Sequence, residues 1–428
     1  MQGLEGGVRV LLLNTYDVTG GAARACSRLF DGLTAAGTNA TLIVREMTEH
    51  PSDAISAGSH FGGRLRAFLD GLPLHFYRHR IRHSFSAAWV PGRGIAAAAA
   101  LHPELVHLHW VVEGFVQVEA LRRLRCPVVW TLHDSWPFTG GCHLPGECRR
   151  YEASCGHCPV LGSAREHDLS RRVWMRKRAT WANLDLTCVA PSRWLAERAR
   201  ASSLLGGRRI EVIPNGVDVS IYCPGERQAA RAALGLPADR RLVLFGANHA
   251  LSDRNKGFDL LLAALRGLAA DERAQTELVV FGDDGGQPVP DCGMPVRNLG
   301  VLQKEKRVAQ LYRAADLFVA PSRQENLPNM VLEAMACATP CVAFGVGGLP
   351  ELIGHGIDGY LAVPGDSADL GRGIAWMLED AGRRAQQGEK AAAKVREEFA
   401  LERIAGRYLQ LYSELLAAGE GTPSESRC

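Results

Sequence analysis

The amino-acid sequence predicts an α/β protein: two doubly wound, Rossmann-like parallel-sheet domains in tandem. Three observations lead there. The chain has 428 residues, too many for one typical core of about 100 to 200 residues and comfortable for two. Short apolar runs rich in β-formers alternate with amphipathic helical stretches, the pattern of a parallel sheet with helices on both faces. That alternation restarts half-way along. A hydrophobic fraction of 46% and a charged fraction of 22% are those of an ordinary folded protein, which disfavours a disordered or fibrous class.

Taken in order, "VRVLLLN" (8–14) is a strand, and "TYDVTGGAARACSRLFDGLTAAG" is a glycine-containing loop opening into a helix that stops at Gly37. "ATLIV", "LVHLH", "PVVWTLH" and "LTCVAPS" follow at intervals long enough for crossovers. After "IEVIPNGVDVSIYCPG" come "RLVLFGAN", "ELVVFGDDG", "LFVAPS" and "PCVAFGVGG", separated by helical stretches such as "GFDLLLAALRGLA" and "KRVAQLYRAA". The expected domains are 1–215, with a Cys-rich insertion at 140–160, and 216–395. A closing helix at 396–418 packs back on the first domain, and the tail "EGTPSESRC" is expected to be disordered. Ligands of such sheets bind beyond the carboxyl ends of the strands, so two sheets facing each other line one cleft.

The net charge of +3 conceals an asymmetry: residues 1–220 carry about 26 Lys+Arg against about 19 Asp+Glu. Part of the excess lies in "GGRLRAFLDGLPLHFYRHRIRHSF", where Arg64, Arg66, Arg78, Arg80 and Arg82 interleave with Leu65, Phe68, Leu72, Phe76, Tyr77 and Ile81. This segment suits an anionic membrane surface as well as it suits a solvated helical face. A pI near 8.3 without repeated basic–aromatic interleaving argues against nucleic acid. No apolar run reaches the roughly 18 to 20 residues that span a bilayer, and "MQGLEGGVRVLLLN" lacks a basic leader with a cleavage site. The expected location is cytoplasmic, with peripheral attachment to the inner membrane face left open.

"SRQENLPNMVLEAMACATP" (322–340) carries Glu325 and Glu333 with only uncharged residues between them. Asn326 is a good helix cap, Pro328 fits a first turn, and the helix should end before Pro340. Eight helical residues would separate the carboxylates by ~12 Å along the axis and about 80° around it, so they cannot share one proton or one metal ion. They suit the two ends of a long ligand, with a helix N-terminus between them for phosphate. A nucleotide-sugar fits that description. Taken alone, a capping Glu325 and a solvated Glu333 are the better explanation of the pair, because Glu is common in helices.

"ENLPNMVLEAMACATPCVAFGVGGLPELI" resembles the E-x7-E segment of the retaining GT-B glycosyltransferases of family 4. The resemblance covers most of the chain: "TGGAARA", "VIPNGVD", "RNKGFDLLLAAL", "ELVVFGDDG", "NLGVL" and "YRAADLFVAPS". It implies that Glu325 contacts hydroxyls of the donor sugar and Glu333 the ribose, while Lys256 binds the diphosphate and offsets charge developing on the leaving nucleotide. The family's arginine before that lysine has no counterpart in "GANHALSD", and Arg254 is the substitute. Leu327 and Pro328 stand where the family often has glycine; Pro328 has no N–H, so Asn326, Leu327 and Asn329 are left as donors to phosphate. Gly20 and Gly21 match a phosphate-approach loop, Gly347 and Gly348 a second loop toward the sugar, and His133 a histidine beside that sugar, with Asp134 orienting it or the acceptor. Front-face attack needs no protein nucleophile. The chain has no Asp-x-Asp motif, so no catalytic metal is expected.

"GGCHLPGECRRYEASCGHCP" groups Cys142, Cys148, Cys155 and Cys158. Four thiols in a Gly- and Pro-rich loop fit a structural Zn²⁺ site holding a coreless insertion, reduced structural thiols, or a labile disulfide. The insertion resembles one in family members from exopolysaccharide clusters of colanic-acid type. The resemblance therefore implies a hexosyltransferase using a UDP- or GDP-linked sugar and a glycan or polyprenyl-linked acceptor in exopolysaccharide assembly. Alternatives are a transferase decorating a soluble natural product, or a non-catalytic zinc-bearing binding protein.

Overall fold

The computed structural model describes residues 8–47, 54–81, 85–247, 250–282 and 289–420. Arg82 and residues 421–428 of the C-terminal tail, both singled out in the sequence, lie outside them. The chain divides into two compact units, one within residues 1–214 and 404–428, the other spanning Asn215–Arg403.

In the first unit, seven parallel strands run in the order β3-β2-β1-β4-β5-β6-β7: β1 Arg9–Tyr16, β2 Asn39–Glu46, β3 Ala54–Ser56, β4 Leu105–Leu108, β5 Val128–Thr131, β6 Leu186–Ala190 and β7 Arg209–Val212. β1 is buried on both faces, which is why it reads as a continuous apolar run instead of an alternating one. Val10 and Leu12 pack with Leu29 and Phe30 of the helix Gly21–Ala35 and with Ile404, Tyr408 and Tyr412. Leu11 and Leu13 point the other way, into a core that includes Val106, Trp130 and Trp136.

In the second unit, six parallel strands follow the order β10-β9-β8-β11-β12-β13: β8 Arg241–Gly246, β9 Thr276–Phe281, β10 Val296–Asn298, β11 Leu317–Ala320, β12 Cys341–Phe344 and β13 Gly359–Ala362. The same alternation sends Leu244, Phe281 and Phe318 to one core and Val243, Phe245 and Val319 to the other. In both sheets the strand order reverses at one place, between β1 and β4 and between β8 and β11. Such switch points leave a crevice at the carboxyl ends of the strands.

Three local expectations are corrected. The closing segment is not one helix: Ala381–Glu398 ends where Val217 donates its amide to the Phe399 carbonyl at 3.0 Å. A new helix, Leu401–Glu420, then begins, and from Ile404 it belongs to the first unit. The helix after Glu325 is Asn329–Ala336, with Pro328 at the cap position and no side-chain cap, so Asn326 does not cap it. The chain stays extended there because Leu327 is buried and its carbonyl, with the Asn329 side chain, is held by Asn215 Nδ2 at 3.2 and 2.9 Å. The cysteine insertion is not coreless: Phe85, Cys142, Cys158, Val160 and Leu161 form a small apolar cluster. Among the described residues no helix is long and apolar enough to cross a membrane.

Candidate functional site

In the second unit the site gathers at the switch point, from loops that follow β8, β11 and β12. Lys256 ends a 3-10 turn, Arg254–Lys256, whose cap Asp253 accepts from the Asn255 amide at 2.9 Å. Gly257 follows at φ 70°, and a Cβ there would overlap the Pro321 carbonyl, so the lysine loop lies directly on the loop after β11. Asn255 fastens the two: its carbonyl accepts from Arg323 N at 2.8 Å, its Nδ2 donates to Gln324 O at 2.8 Å, and its Oδ1 accepts from Gln324 N at 3.1 Å. Arg323 adds a fork to Asp259 at 2.9 and 2.6 Å and a bond to Arg254 O at 2.6 Å.

This docking brings Lys256 Nζ to 2.8 Å from Glu325 Oε2, with the side chains 27% and 17% exposed. Burial works to lower the Lys256 pKa, and the charge and hydrogen bond of Glu325 more than reverse it, so the ammonium is held above its usual value. Glu325 is held from behind as well. Gly348 N donates to its carbonyl at 3.3 Å, and Gly347, at φ 60°, has no room for a Cβ against that same carbonyl. Lys256, Glu325, Gly347 and Gly348 therefore form one assembly, and Arg254 lies in the same turn with an exposed side chain. Glu333 is separate. It is fully buried on the inner face of its helix and accepts from Tyr312 Oη at 3.1 Å, so it is no solvated helix residue.

In the first unit Gly20, at φ 92° and ψ 168°, is in a conformation open essentially to glycine only, and it precedes the helix that Gly21 begins. Asn14 and Thr15 tie the ends of β1 and β4 together: Trp110 N donates to Asn14 Oδ1 at 2.8 Å and Thr15 N to Trp110 O at 2.7 Å. His133, two residues beyond β5, shares a hydrogen bond with His109 across 2.9 Å from its Nε2 to His109 Nδ1. Burial pushes the His133 pKa down to about 4, with Asp134 opposing. His107 is pushed to about 3 by the same cause, so these rings are neutral at physiological pH. Asp134 is held in its own network: His143 Nδ1 at 2.6 Å, Trp136 N at 2.7 Å and Trp110 Nε1 at 2.9 Å. Burial raises its pKa, and His143 with these bonds overcomes that, leaving the carboxyl below its usual range.

Cys142, Cys148, Cys155 and Cys158 line a single cavity of about 10 Å³, near the least that holds one water molecule. All four are free thiols. Among the described residues, no three His, Cys, Asp or Glu side chains are already gathered closely enough to hold a metal ion.

The profile of Glycosyltransferase Family 4 matches residues 19–221, and that of Glycosyl transferases group 1 matches residues 240–380. D-inositol 3-phosphate glycosyltransferase 2 of Catenulispora acidiphila is 34% identical over 371 residues, covering 82% of this chain and 75% of that one. The chain belongs to the family 4, group 1 glycosyltransferases. The D-inositol 3-phosphate glycosyltransferase of Mycobacterium tuberculosis strain F11 is 30% identical over 353 residues, 78% of this chain and 67% of that one. Both relatives are inositol phosphate enzymes by name, not exopolysaccharide enzymes of colanic-acid type. The fold agrees with GT-B structures. Sucrose-phosphate synthase from Thermosynechococcus elongatus has a TM-score of 0.70 at 22% identity, covering 96% of this chain and 99% of that one. Anabaena Alr3699/HepE in complex with UDP-glucose has a TM-score of 0.62 at 19% identity, covering 96% and 99%. This glycosyltransferase is accordingly an enzyme of the hexosyltransferase type.

Sequence reasoning overlooked Arg323, Asn255, His109 and Tyr312. Arg323 and Asn255 adjoin the predicted Glu325 and Lys256, and polar residues flanking a predicted site were signal enough to flag them. Tyr312 belongs to a helix far from Glu333 in sequence and gave none.

Proposed function

We propose that this glycosyltransferase moves a hexosyl group from a UDP- or GDP-linked donor, with retention at the anomeric carbon, to a hydroxyl of a glycan or polyprenyl-linked glycan in exopolysaccharide assembly. The observation that carries the donor half is the Lys256–Glu325 pair, built at the switch point where α/β sheets take their ligands. On donor binding, Lys256 exchanges part of its contact with Glu325 for the diphosphate and stabilises the charge that grows on the leaving group. Glu325 accepts hydroxyls of the sugar, and Glu333 takes the ribose end. Arg254 and the 326–327 backbone complete the diphosphate contacts, with Gly347 and Gly348 behind the sugar. The family resemblance assigns Gly20 and Gly21 to phosphate approach and His133, neutral, to a hydrogen bond with the transferred sugar. The leaving phosphate oxygen takes the acceptor proton, so no step requires a protein nucleophile. HepE, bound to UDP-glucose in its own structure, supports a donor of this chemical class.

The acceptor half rests on the surface of the helix His60–Gly71 and the turn after it. Phe61 and Phe76 are 81% and 88% exposed, Leu65 and Phe68 are exposed beside them, and Arg64 and Arg78 flank them. Exposed aromatic side chains among arginines fit the interface of an anionic bilayer, where a polyprenyl-linked acceptor resides. The names of the relatives favour a second acceptor, a soluble phosphorylated polyol. One experiment covers both: turnover of a panel of UDP- and GDP-sugars with each acceptor, with and without vesicles containing phosphatidylglycerol. Turnover that needs vesicles, and is lost in Phe61→Ser/Phe76→Ser, supports the lipid-linked acceptor; full activity on a soluble acceptor without lipid overturns it. Failure of every donor to be turned over or to raise Tm overturns the donor assignment.

A further inference from the structure

The polar and apolar groups around the cysteine loop form a site with no part in the donor chemistry. Its four thiols come from three turns of the chain and face one cavity of single-ion size. One of the sulfurs already has a backbone donor. Gly140 N donates to Cys155 Sγ at 3.2 Å, which partly offsets the burial that raises this thiol's pKa. Between Cys155 and Cys158 the backbone makes a tight left-handed turn, with Cys155 at φ 53°, Gly156 at 93° and His157 at 45°. Left-handed geometry at two non-glycine side chains flanking a single glycine is costly and persists only where something fixes it.

A second observation is independent of the thiols. Lys177 is completely buried, and its Nζ donates to the carbonyls of Trp136 and Thr139, the latter at 3.1 Å, while lying 3.5 Å from the centre of the Trp136 ring. Burial pushes its pKa well below the usual lysine value, and the nearby Cys142, Cys155 and Asp134 oppose that shift. Four thiolates around a divalent cation carry a net charge of two minus, and Lys177 stands where part of that charge would be balanced.

We propose that Cys142, Cys148, Cys155 and Cys158 bind one Zn²⁺ as a closed tetrathiolate site. Binding draws the four side chains inward onto the cavity, forms four Zn–S bonds, and releases the thiol protons to solvent. The metal stays out of group transfer. Its effect is positional, because Cys142 precedes His143, which bonds Asp134 Oδ2 at 2.6 Å and Ser86 Oγ at 3.0 Å. Closing the thiol site fixes the chain at His143 and, through Asp134, the segment that carries His133.

The test uses the full chain, purified under reducing conditions without chelator, and reads metal content by plasma mass spectrometry. One zinc per chain is expected. Exchange for cobalt should give the visible absorption of a tetrahedral thiolate complex, and the four cysteines should resist alkylation until zinc is stripped. Cys155→Ser/Cys158→Ser should lose the metal, and Cys223→Ser in the second unit should keep it. Reduced protein that takes up neither zinc nor cobalt overturns the proposal, as does peptide mapping that finds the four sulfurs paired in disulfides. Zinc retained in full by the double variant also overturns it. If that variant is insoluble, the cobalt spectrum and the alkylation map of the unaltered chain decide by themselves. None of these measurements requires a sugar donor, so they stand or fall apart from the transferase assignment.

Discussion

Removing the Lys256 ammonium should affect stability and turnover differently, and the geometry sets both sizes. At 2.8 Å, in an effective dielectric of about 20, the pair with Glu325 has a gross attraction of about 6 kcal/mol. Most of that offsets the loss of hydration, and because both side chains keep some solvent contact the net loss on Lys256→Ala should be about 1–2 kcal/mol. For a unit of this size that lowers Tm by roughly 2–4 °C per kcal/mol. Turnover should suffer more, since a fixed cation beside the leaving diphosphate acts where charge develops: kcat should fall about 10²–10³-fold. Lys256→Arg should recover part of the rate, limited because a planar guanidinium does not reproduce the contact of a compact ammonium. Glu325→Gln should also be slow. The double variant should be only a few-fold worse than Lys256→Ala, because residues acting as one unit on one donor are strongly non-additive. Initial rates of nucleotide release, with melting curves on the same samples, provide the measurements. A Lys256→Ala enzyme within about threefold of wild-type kcat, or losses that multiply fully in the double variant, would refute the reasoning.

Three further outcomes follow from the same geometry. Gly347→Ala places a Cβ against the Glu325 carbonyl and forces a left-handed alanine, so it should shift Glu325 and lower kcat/KM at least about tenfold while the first unit stays intact; unchanged kinetics would show that the loop does not hold Glu325. His133→Ala should slow transfer about 10²-fold as a lost hydrogen-bond donor to the sugar, and because the ring titrates near pH 4 the wild-type kcat profile should show no His133 limb between pH 5 and 8; a limb in that range that disappears in the variant would contradict this. His107 and His133 have folded pKa values near 3 and 4, below the ~6.5 of an unfolded chain, so the unfolded state binds more protons as pH falls. Their stabilising contribution is full above about pH 6.5 and declines from there toward pH 4; Tm measured across that window should drop, and His107→Gln should flatten the drop.

The tandem strand–helix alternation was legible because both sheets are buried on two faces, so each strand is a plain apolar run closed by Gly, Asn or Ser. Lys256, Glu325, Gly347 and Gly348 were picked out through the family resemblance, and the structure gathers them because each follows the end of a strand in one doubly wound sheet. Local helix boundaries were harder. Asn326 has the chemistry of a cap, yet Leu327 enters the core and Asn215, more than a hundred residues earlier, holds the segment extended. The break at Phe399–Ala400 has a similar cause, since a ladder-like pairing with Val217 interrupts a helical pattern that is locally unobjectionable. The His109–His133 contact and the Asp134–His143–Ser86 chain join side chains from separate crossovers. Their positions follow only from the sheet order, which the sequence pattern leaves undetermined.

Glu333 separates two physical accounts of the spacing that drew attention to this segment. Completely buried and bonded to Tyr312, it could serve the donor only through a ribose brought into contact with its helix, or it could serve the core alone. A carboxylate that accepts from both ribose hydroxyls loses one partner when the donor lacks the 2′-hydroxyl, and sites built around a hydroxyl reject such analogues strongly. On the ribose account, the wild-type enzyme prefers the ribo donor to its 2′-deoxy analogue in kcat/KM, and Glu333→Gln removes most of that preference while Tyr312→Phe preserves it. On the core account, both substitutions lower Tm, each by the cost of an unmet buried hydrogen bond of about 1–3 kcal/mol, and neither changes the ratio. The ratio of the two donors thus decides the role independently of folding, since a general loss of active protein lowers both rates equally. A wild-type enzyme indifferent to the 2′-hydroxyl would remove Glu333 from the donor site and leave Glu325 as the only ligand of the pair.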